Sequence, residues 1–195
     1  MKDITLIIAG GVGIYNINKW RVEFIGKKEM GLAEETLTLF YKAKDAISVA
    51  RDPFPFFEEE GETRKKGENE TVENSKKLDR AYIAIERLNY NADIFNKLYA
   101  SRYRFKARFG EEATKPFEEI HWAEKEIIFA SRMLSSHLKT DTCVLTDEEK
   151  KNRNKETQEF EKIFFRTSMK EGPINPRLNS AVENMEKFCK KLIKR

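Results

Sequence analysis

The sequence contains little of what builds a covalent or metal-bound framework. It has two cysteines, Cys143 and Cys189, and two histidines, His121 and His137, among 195 residues. The cysteines lie far apart and form neither a C-x-x-C pair nor a zinc-type spacing. We therefore expect no disulfide framework and two reduced thiols in a reducing compartment.

Glycine and proline are also scarce, with nine and five residues, whereas charged residues make up 36% of the chain. This balance disfavours an all-β fold and favours long, solvated helices. The length suffices for one domain with its own core. The net charge of +4 is a mild excess and does not by itself indicate a nucleic-acid partner, and we expect no specific nucleic-acid binding.

Recognisable catalytic motifs are missing as well. The sequence has no G-x-S-x-G nucleophile elbow and no P-loop. Glu118 and His121 match the E-x-x-H step of di-iron bundles, but a di-iron site needs two such steps, and Leu134 stands three residues before His137. We therefore expect no catalytic activity, no metal site and no cofactor.

The longest uncharged stretch lies at the N-terminus. Residues 4–14 read ITLIIAGGVGI, and a short polar run leads from them to Lys19, Trp20 and Arg21. An apolar run that ends at a tryptophan between two cations is typical of a helix leaving a membrane, with Tyr15 and Trp20 in the aromatic belt. We therefore predict a membrane anchor that contacts the bilayer through residues 4–17, with Tyr15, Lys19, Trp20 and Arg21 at the interface.

This predicted anchor is short. Residues 4–17 span ~21 Å as a helix, whereas the hydrocarbon core is ~30 Å thick. Local thinning of the bilayer and snorkelling of Lys2 and Lys19 reduce the mismatch. Cations at positions 19, 21, 27 and 28 follow the run, so the positive-inside rule places the bulk of the chain in the cytoplasm. We predict a single-pass protein of the bacterial inner membrane, with a soluble cytoplasmic protein as the alternative.

Two other interpretations of this segment have less support in the sequence. A secretory signal lacks support, because no A-x-A cleavage site follows the apolar run. A strand over residues 4–8 followed by the glycine turn Gly10–Gly13 would suit a nucleotide-binding enzyme, but Asn16 stands at the third glycine position of the fingerprint. Within a helix, Ala9 and Gly13 instead form a small-xxx-small pair that lets two anchors approach each other.

Apolar residues at steps of three and four predict an all-α, up-and-down antiparallel bundle behind an N-terminal apolar helix. We assign residues 1–18 to the anchor and 19–195 to the bundle. One helix is expected to run from the apolar segment to Arg51, where Asp52 and Pro53 stop it. A mobile charged loop is expected over 52–70, because its acidic and glycine-containing sequence has no period.

Four further helices are predicted in the rest of the chain. The second runs from Thr71 to Phe109 and ends before Gly110, and the third begins near Pro116 and ends near Leu138. Thr146 and Glu149 form a capping box that opens a very polar fourth helix. The fifth carries the stripe from Leu178 to Leu192.

Two basic stretches suggest binding surfaces. The first alternates cations with aromatic residues over 102–109, where the expectation is that Phe105 and Phe109 point inward while the cations are solvated. The second is a tail on the last helix that we expect to face lipid or a partner. Its members are Lys187, Lys190, Lys191, Lys194 and Arg195.

Several short pieces of sequence support the same interpretation. They include Trp20-Arg21, residues 32–37 (LAEETL) with 39–41 (LFY), Arg51-Asp52-Pro53, and residues 102–105 (RYRF) with Phe109-Gly110. With Pro116-Phe117 and Glu126-Ile127, they resemble a loose group of uncharacterised bacterial proteins with an N-terminal membrane helix and a cytoplasmic helical domain. The resemblance implies the membrane anchor. It indicates no particular activity and no catalytic residues.

Together these patterns predict a membrane-anchored helical interaction or scaffolding protein that binds a protein partner or a second copy of itself. A soluble helical binding protein is the alternative.

Overall fold

The computed structural model describes residues 2–68, 70–139, 145–165 and 172–193, and for residues 2–18 it describes the backbone alone. Helix accounts for 83% of the residues, and the described part of the chain contains no strand. The all-α prediction is therefore confirmed. The helices are α1 Lys2–Ala50, α2 Val72–Tyr90, α3 Ala92–Phe109, α4 Lys115–Lys139, α5 Asp147–Phe164 and α6 Ile174–Ile193.

The first helix is continuous from the apolar segment to Ala50, as predicted. Its C-terminal part carries a buried stripe that includes Ala33, Phe40, Ala43 and Ile47, at the three- and four-residue steps of one helix face. From residue 19 to residue 31 most side chains are exposed. We call residues 2–31 the arm, because Leu32 is the first buried residue among the described side chains of α1.

The prediction that the arm begins with a transmembrane helix is not supported. Across the helices that the structure describes, none is long and apolar enough to cross a membrane. Charged residues precede the apolar run at Lys2 and Asp3, and Asn16, Asn18 and Lys19 end it.

The second predicted helix is divided into α2 and α3 at Asn91. The Asn91 side-chain amide donates a hydrogen bond to the Arg87 carbonyl at 2.9 Å, so a side chain competes with the helical backbone at this point. The break also separates two packing partners, because α2 lies mainly against α4 and α3 lies mainly against α1. The prediction of one continuous helix over 71–109 is therefore wrong, although its outer ends are confirmed.

The remaining helices follow the sequence signals. Gly110 ends α3 with a φ of +84°, a left-handed conformation that favours glycine, and α4 begins beside Pro116. The capping box of Thr146 and Glu149 opens α5, as predicted. Arg51, at the end of α1, donates to the Ile163 and Phe165 carbonyls at the last turn of α5, where a cation is favourable.

Helix α6 runs antiparallel to α1. Arg51 Nη1 donates to Asn175 Oδ1 at 2.6 Å near the start of α6, and Tyr41 donates to Glu186 at 2.7 Å in its second half. The end of α6 therefore lies beside the base of the arm, where Leu192 lines a surface cleft with seven residues between Val22 and Met30. This end of the molecule, where the arm leaves the bundle, is called the arm end below.

The charged segment after α1 is attached to α2 by buried ion pairs. Glu60 pairs with Arg87, and Arg64 pairs with both Glu70 and Asp79. Gly61 has a φ of +94°, and a Cβ there would lie 2.1 Å from the Asp79 carbonyl oxygen. The mobility of the loop over 52–70 stays a prediction. The contacts described above would restrict such motion.

Candidate functional site

The exposed part of the arm carries aromatic and basic side chains on the same stretch of helix. Trp20 is 64% exposed and Val22 is 70% exposed. The rings of Trp20 and Phe24, one turn apart, stack with centroids 5.3 Å apart, and Lys28 Nζ lies 4.5 Å from the Phe24 ring. Among the described residues both rings are exposed, Trp20 at 64% and Phe24 at 43%, so the arm presents aromatic and basic side chains to solvent.

The predicted interface residues lie on this surface. Lys19, Trp20 and Arg21 are exposed, as their assigned role requires. The side chain of Tyr15 lies outside the described residues. Ile25 and Glu29 are half-buried, so the arm changes gradually from solvent-exposed to packed as it enters the bundle.

The predicted basic tail begins on the last two turns of α6. Lys187, Lys190 and Lys191 are exposed there, whereas Lys194 and Arg195 lie outside the described residues. Lys190 donates to Glu186 at 2.5 Å, and Tyr41 donates to the same carboxylate. These two hydrogen bonds lower the pKa of Glu186, and the Glu186 carboxylate raises the pKa of the Tyr41 hydroxyl.

The structure brings the arm and the basic helix end together. Because α6 is antiparallel to α1, its C-terminal end points toward the arm, and Leu192, the residue after Lys191, lines a cleft that also includes Lys27. The predicted interface residues of the arm and the predicted basic tail are far apart in sequence. They come to the same end of the bundle because α6 is antiparallel to α1. One end of the molecule thus combines an exposed aromatic helix with two sets of exposed cations.

Other cations at the arm end are neutralised by ion pairs. Arg104 contacts Glu35 at 2.9 Å, Arg108 pairs with Glu29, and Lys106 pairs with Glu111. In the same stretch, the Phe105 ring is fully buried and the Phe109 ring packs edge-on against Phe188. Phe105 and Phe109 of the alternating stretch 102–109 therefore pack inward and three of its cations form ion pairs, whereas the Tyr103 ring is exposed.

The two histidines occupy different surroundings. His121 stacks edge-on against Tyr99, and its Nδ1 lies 3.9 Å from a Glu124 oxygen. The Tyr99 hydroxyl donates to Glu124, and burial together with this carboxylate raises the pKa of Tyr99. His137 Nδ1 lies 2.9 Å from the Thr157 hydroxyl. Among the described residues, no group of three or more His, Cys, Asp and Glu side chains converges as metal ligands would.

The glycine cluster is helical. Gly10–Gly13 lie within α1, so the alternative in which a strand leads into a glycine turn does not describe this chain. A nucleotide-binding crevice of that type needs the carboxyl ends of parallel strands. The described residues provide none.

A second surface was not predicted from the sequence. It is an apolar cleft of about 810 Å³ between α1, the loop after it and the junction of α2 with α3. Ala46 and Val49 of α1, Phe56 and Phe57 of the loop, and Ile94 of α3 supply its apolar lining. We call this the junction cleft, because the break at Asn91 forms one of its edges.

The loop wall of the junction cleft depends on one buried arginine. Arg87 contacts Glu60 through two hydrogen bonds and donates to the carbonyls of Val49, Asp52 and Phe54. Its guanidinium also lies 4.3 Å from the centre of the Phe56 ring. The aromatic run 54–57, which belongs to no helical stripe, was the only sequence signal for this surface.

Comparisons with family models, with curated proteins and with solved structures found no match. The resemblance to bacterial proteins with an N-terminal membrane helix therefore stays a prediction. The assignment of a function depends on the two surfaces described above.

Proposed function

We propose that this chain is a helical interaction or scaffolding protein, not an enzyme, that is attached to a lipid bilayer through its N-terminal arm. Residues 4–17 enter the hydrocarbon from the cytoplasmic side, and Lys19, Trp20 and Arg21 lie at the headgroups. For attachment, this segment needs to enter the hydrocarbon core of the bilayer, but it does not need to cross the bilayer. The remainder of the chain then extends into the cytoplasm.

The observation that carries this proposal is the shared position of two surfaces. The exposed Trp20 and Phe24 rings lie on the arm, and the end of α6, which carries exposed lysines, reaches the base of the arm, where Leu192 lines a cleft with Val22 and Met30. Aromatic rings favour the interface between water and lipid, and cations near an anionic leaflet each contribute about 1 kcal/mol. A soluble helical binding protein, in which the exposed rings of the arm contact a protein partner, is the alternative.

Flotation with lipid vesicles tests the proposal. We expect the full chain to float with vesicles, more strongly when they contain phosphatidylglycerol than when they contain phosphatidylcholine alone. Removal of residues 1–18 should leave the chain at the bottom of the gradient. A full chain that stays unbound to both kinds of vesicle would favour the soluble alternative.

A triple substitution tests the role of the basic helix end. Changing Lys187, Lys190 and Lys191 to Gln should weaken binding to phosphatidylglycerol vesicles by up to roughly 100-fold, because three cations are lost. The matched control changes Lys76, Lys151 and Lys155 to Gln. These are exposed lysines on α2 and α5, which pack against the part of α4 away from the arm end, and this variant should bind like the original chain.

A further inference from the structure

We propose that the junction cleft binds an amphipathic helix of a partner protein whose polar face carries lysine or arginine. This inference rests on the proposed function, because it identifies the surface through which the attached bundle acts as an interaction module. The shape of the cleft, its exposed rings and its charge together indicate this kind of partner.

The apolar surface extends beyond the cleft itself. Phe54 is 74% exposed, Phe57 is 57% exposed, and Tyr90 at the end of α2 is exposed as well. Val49 continues this surface onto α1. Apolar side chains clustered in this way on a soluble domain mark a binding surface, and a patch wider than the cleft suits a helix better than a small ligand.

The loop that presents these rings is held in place. Arg87 fixes the carbonyls of Asp52 and Phe54 and the carboxylate of Glu60, so the backbone on both sides of the rings is anchored. Gly61 donates its backbone N–H to Glu86 on α2. A surface held in this way loses little conformational freedom when a partner binds, which favours affinity.

The charges beside the rings are mainly acidic. Lys42 faces the cleft together with Asp45 and Glu86, while Arg87 and Glu60 neutralise each other. The exposed Glu58 and Glu59 follow Phe57 in the loop. The excess of negative charge is complementary to a basic partner, and it is unfavourable for contact with an anionic bilayer.

The position of the cleft also separates it from the proposed membrane contact. Val49 lies eighteen residues beyond Gly31, which corresponds to ~27 Å along α1 from the point where the arm leaves the bundle. The arm of a second copy also carries aromatic rings and cations. In the proposed function, however, that stretch lies at the headgroups, away from this cleft. A separate partner protein is therefore the occupant that fits both surfaces.

Binding of two synthetic peptides tests the inference. The first is an 18-residue helix with leucine on one face and lysine on the other, and the second has glutamate in place of every lysine. Fluorescence anisotropy of each labelled peptide is measured with the full chain in the presence of zwitterionic nanodiscs, and empty nanodiscs give the background. We expect micromolar binding of the lysine peptide and at least tenfold weaker binding of the glutamate peptide.

Two pairs of variants locate the binding. Asp45→Lys and Phe57→Ser should each weaken binding of the lysine peptide at least tenfold. The controls Glu148→Lys and Trp122→Ser change an exposed acid and an exposed ring on α5 and α4, and they should bind within twofold of the original chain. Circular dichroism melts of all four variants check that the fold is retained.

Three results would overturn the inference. They are no binding of the lysine peptide above background, equal binding of the two peptides, and equal effects of the cleft variants and their controls. A concentration-dependent dimer that Phe57→Ser abolishes would assign the cleft to a second copy and would also overturn it. Asp45→Lys and Phe57→Ser should leave vesicle flotation unchanged, so a failure of this inference is distinguishable from a failure of membrane attachment.

Discussion

Arg87 of α2 and Glu60 of the loop form a bidentate ion pair. The Nε–Oε1 distance is 2.6 Å and the Nη2–Oε2 distance is 2.8 Å. Both side chains are almost completely buried, at 5% and 3% exposure. Because Arg87 also binds three backbone carbonyls, this one side chain joins the end of α1, the loop and α2. Breaking the pair should therefore affect both the stability of the fold and the loop wall of the junction cleft.

We expect Arg87→Ala to lower the free energy of unfolding by about 3–5 kcal/mol, because it leaves the Glu60 carboxylate buried without its cation. Arg87→Lys should also be destabilising, since an ammonium group cannot reproduce the bidentate contact. Urea denaturation followed by circular dichroism measures both. An Arg87→Ala variant as stable as the original chain would contradict the role assigned to this pair.

Acid should weaken the fold through the loop carboxylates. The hydrogen bonds from Arg87 lower the pKa of Glu60, and those from Arg64 lower the pKa of Glu70 from 4.5 to about 2. A carboxyl with a lowered pKa stabilises the fold above its unfolded pKa, and this contribution is lost as the pH falls through its folded pKa. The free energy of unfolding should therefore decrease from about pH 5 to pH 2.

Glu60→Gln tests this pH dependence directly. The amide keeps the shape of the side chain and cannot titrate, so the variant should be less stable at pH 7 and should lose less stability on acidification. Urea melts at pH 7, 4 and 3 provide the comparison. If the variant and the original chain lost stability in parallel, the acid response would have to come from other groups.

The seam between α2 and α4 should contribute strongly to the stability of the bundle. Leu88 and Ile127 are 3% and 0% exposed, and truncation of either to Ala should cost roughly 2–5 kcal/mol. The exposed Glu59 and Lys65 serve as controls, and their change to Ala should cost no more than about 0.5 kcal/mol. Denaturant melts of the chain beginning at residue 19 measure all four, and equal costs would contradict the assignment of the core.

The buried cysteine should be chemically inert in the folded chain. Cys189 is fully buried, and burial raises the pKa of its thiol to about 11. Since the thiolate is the reactive form, Cys189 in a Cys143→Ser background should react with Ellman's reagent roughly 100-fold faster in 6 M guanidinium than in buffer at pH 8. Rapid complete reaction of the folded chain would show that the α6 seam opens readily.

The local pattern of the sequence predicted most of the helices. Steps of three and four between apolar residues located the buried faces of α1, α4 and α6, and the capping box at Thr146 located the start of α5. The same reasoning missed the division at Asn91, because Leu88 and Phe95 satisfy one continuous stripe although they belong to helices with different packing partners. The assignment of Lys19, Trp20 and Arg21 to a membrane interface stays a prediction.

The relations that matter for function depend on tertiary structure. The sequence by itself determined that the chain is helical, that it begins with an apolar segment and that it ends with a basic stretch, because these are properties of neighbouring residues. Only the packing decided that α6 returns its lysines to the base of the arm, and that Arg87 fixes an aromatic loop beside α1. The period of the apolar residues indicates which face of a helix is buried, but it does not indicate which neighbouring helix packs against that face.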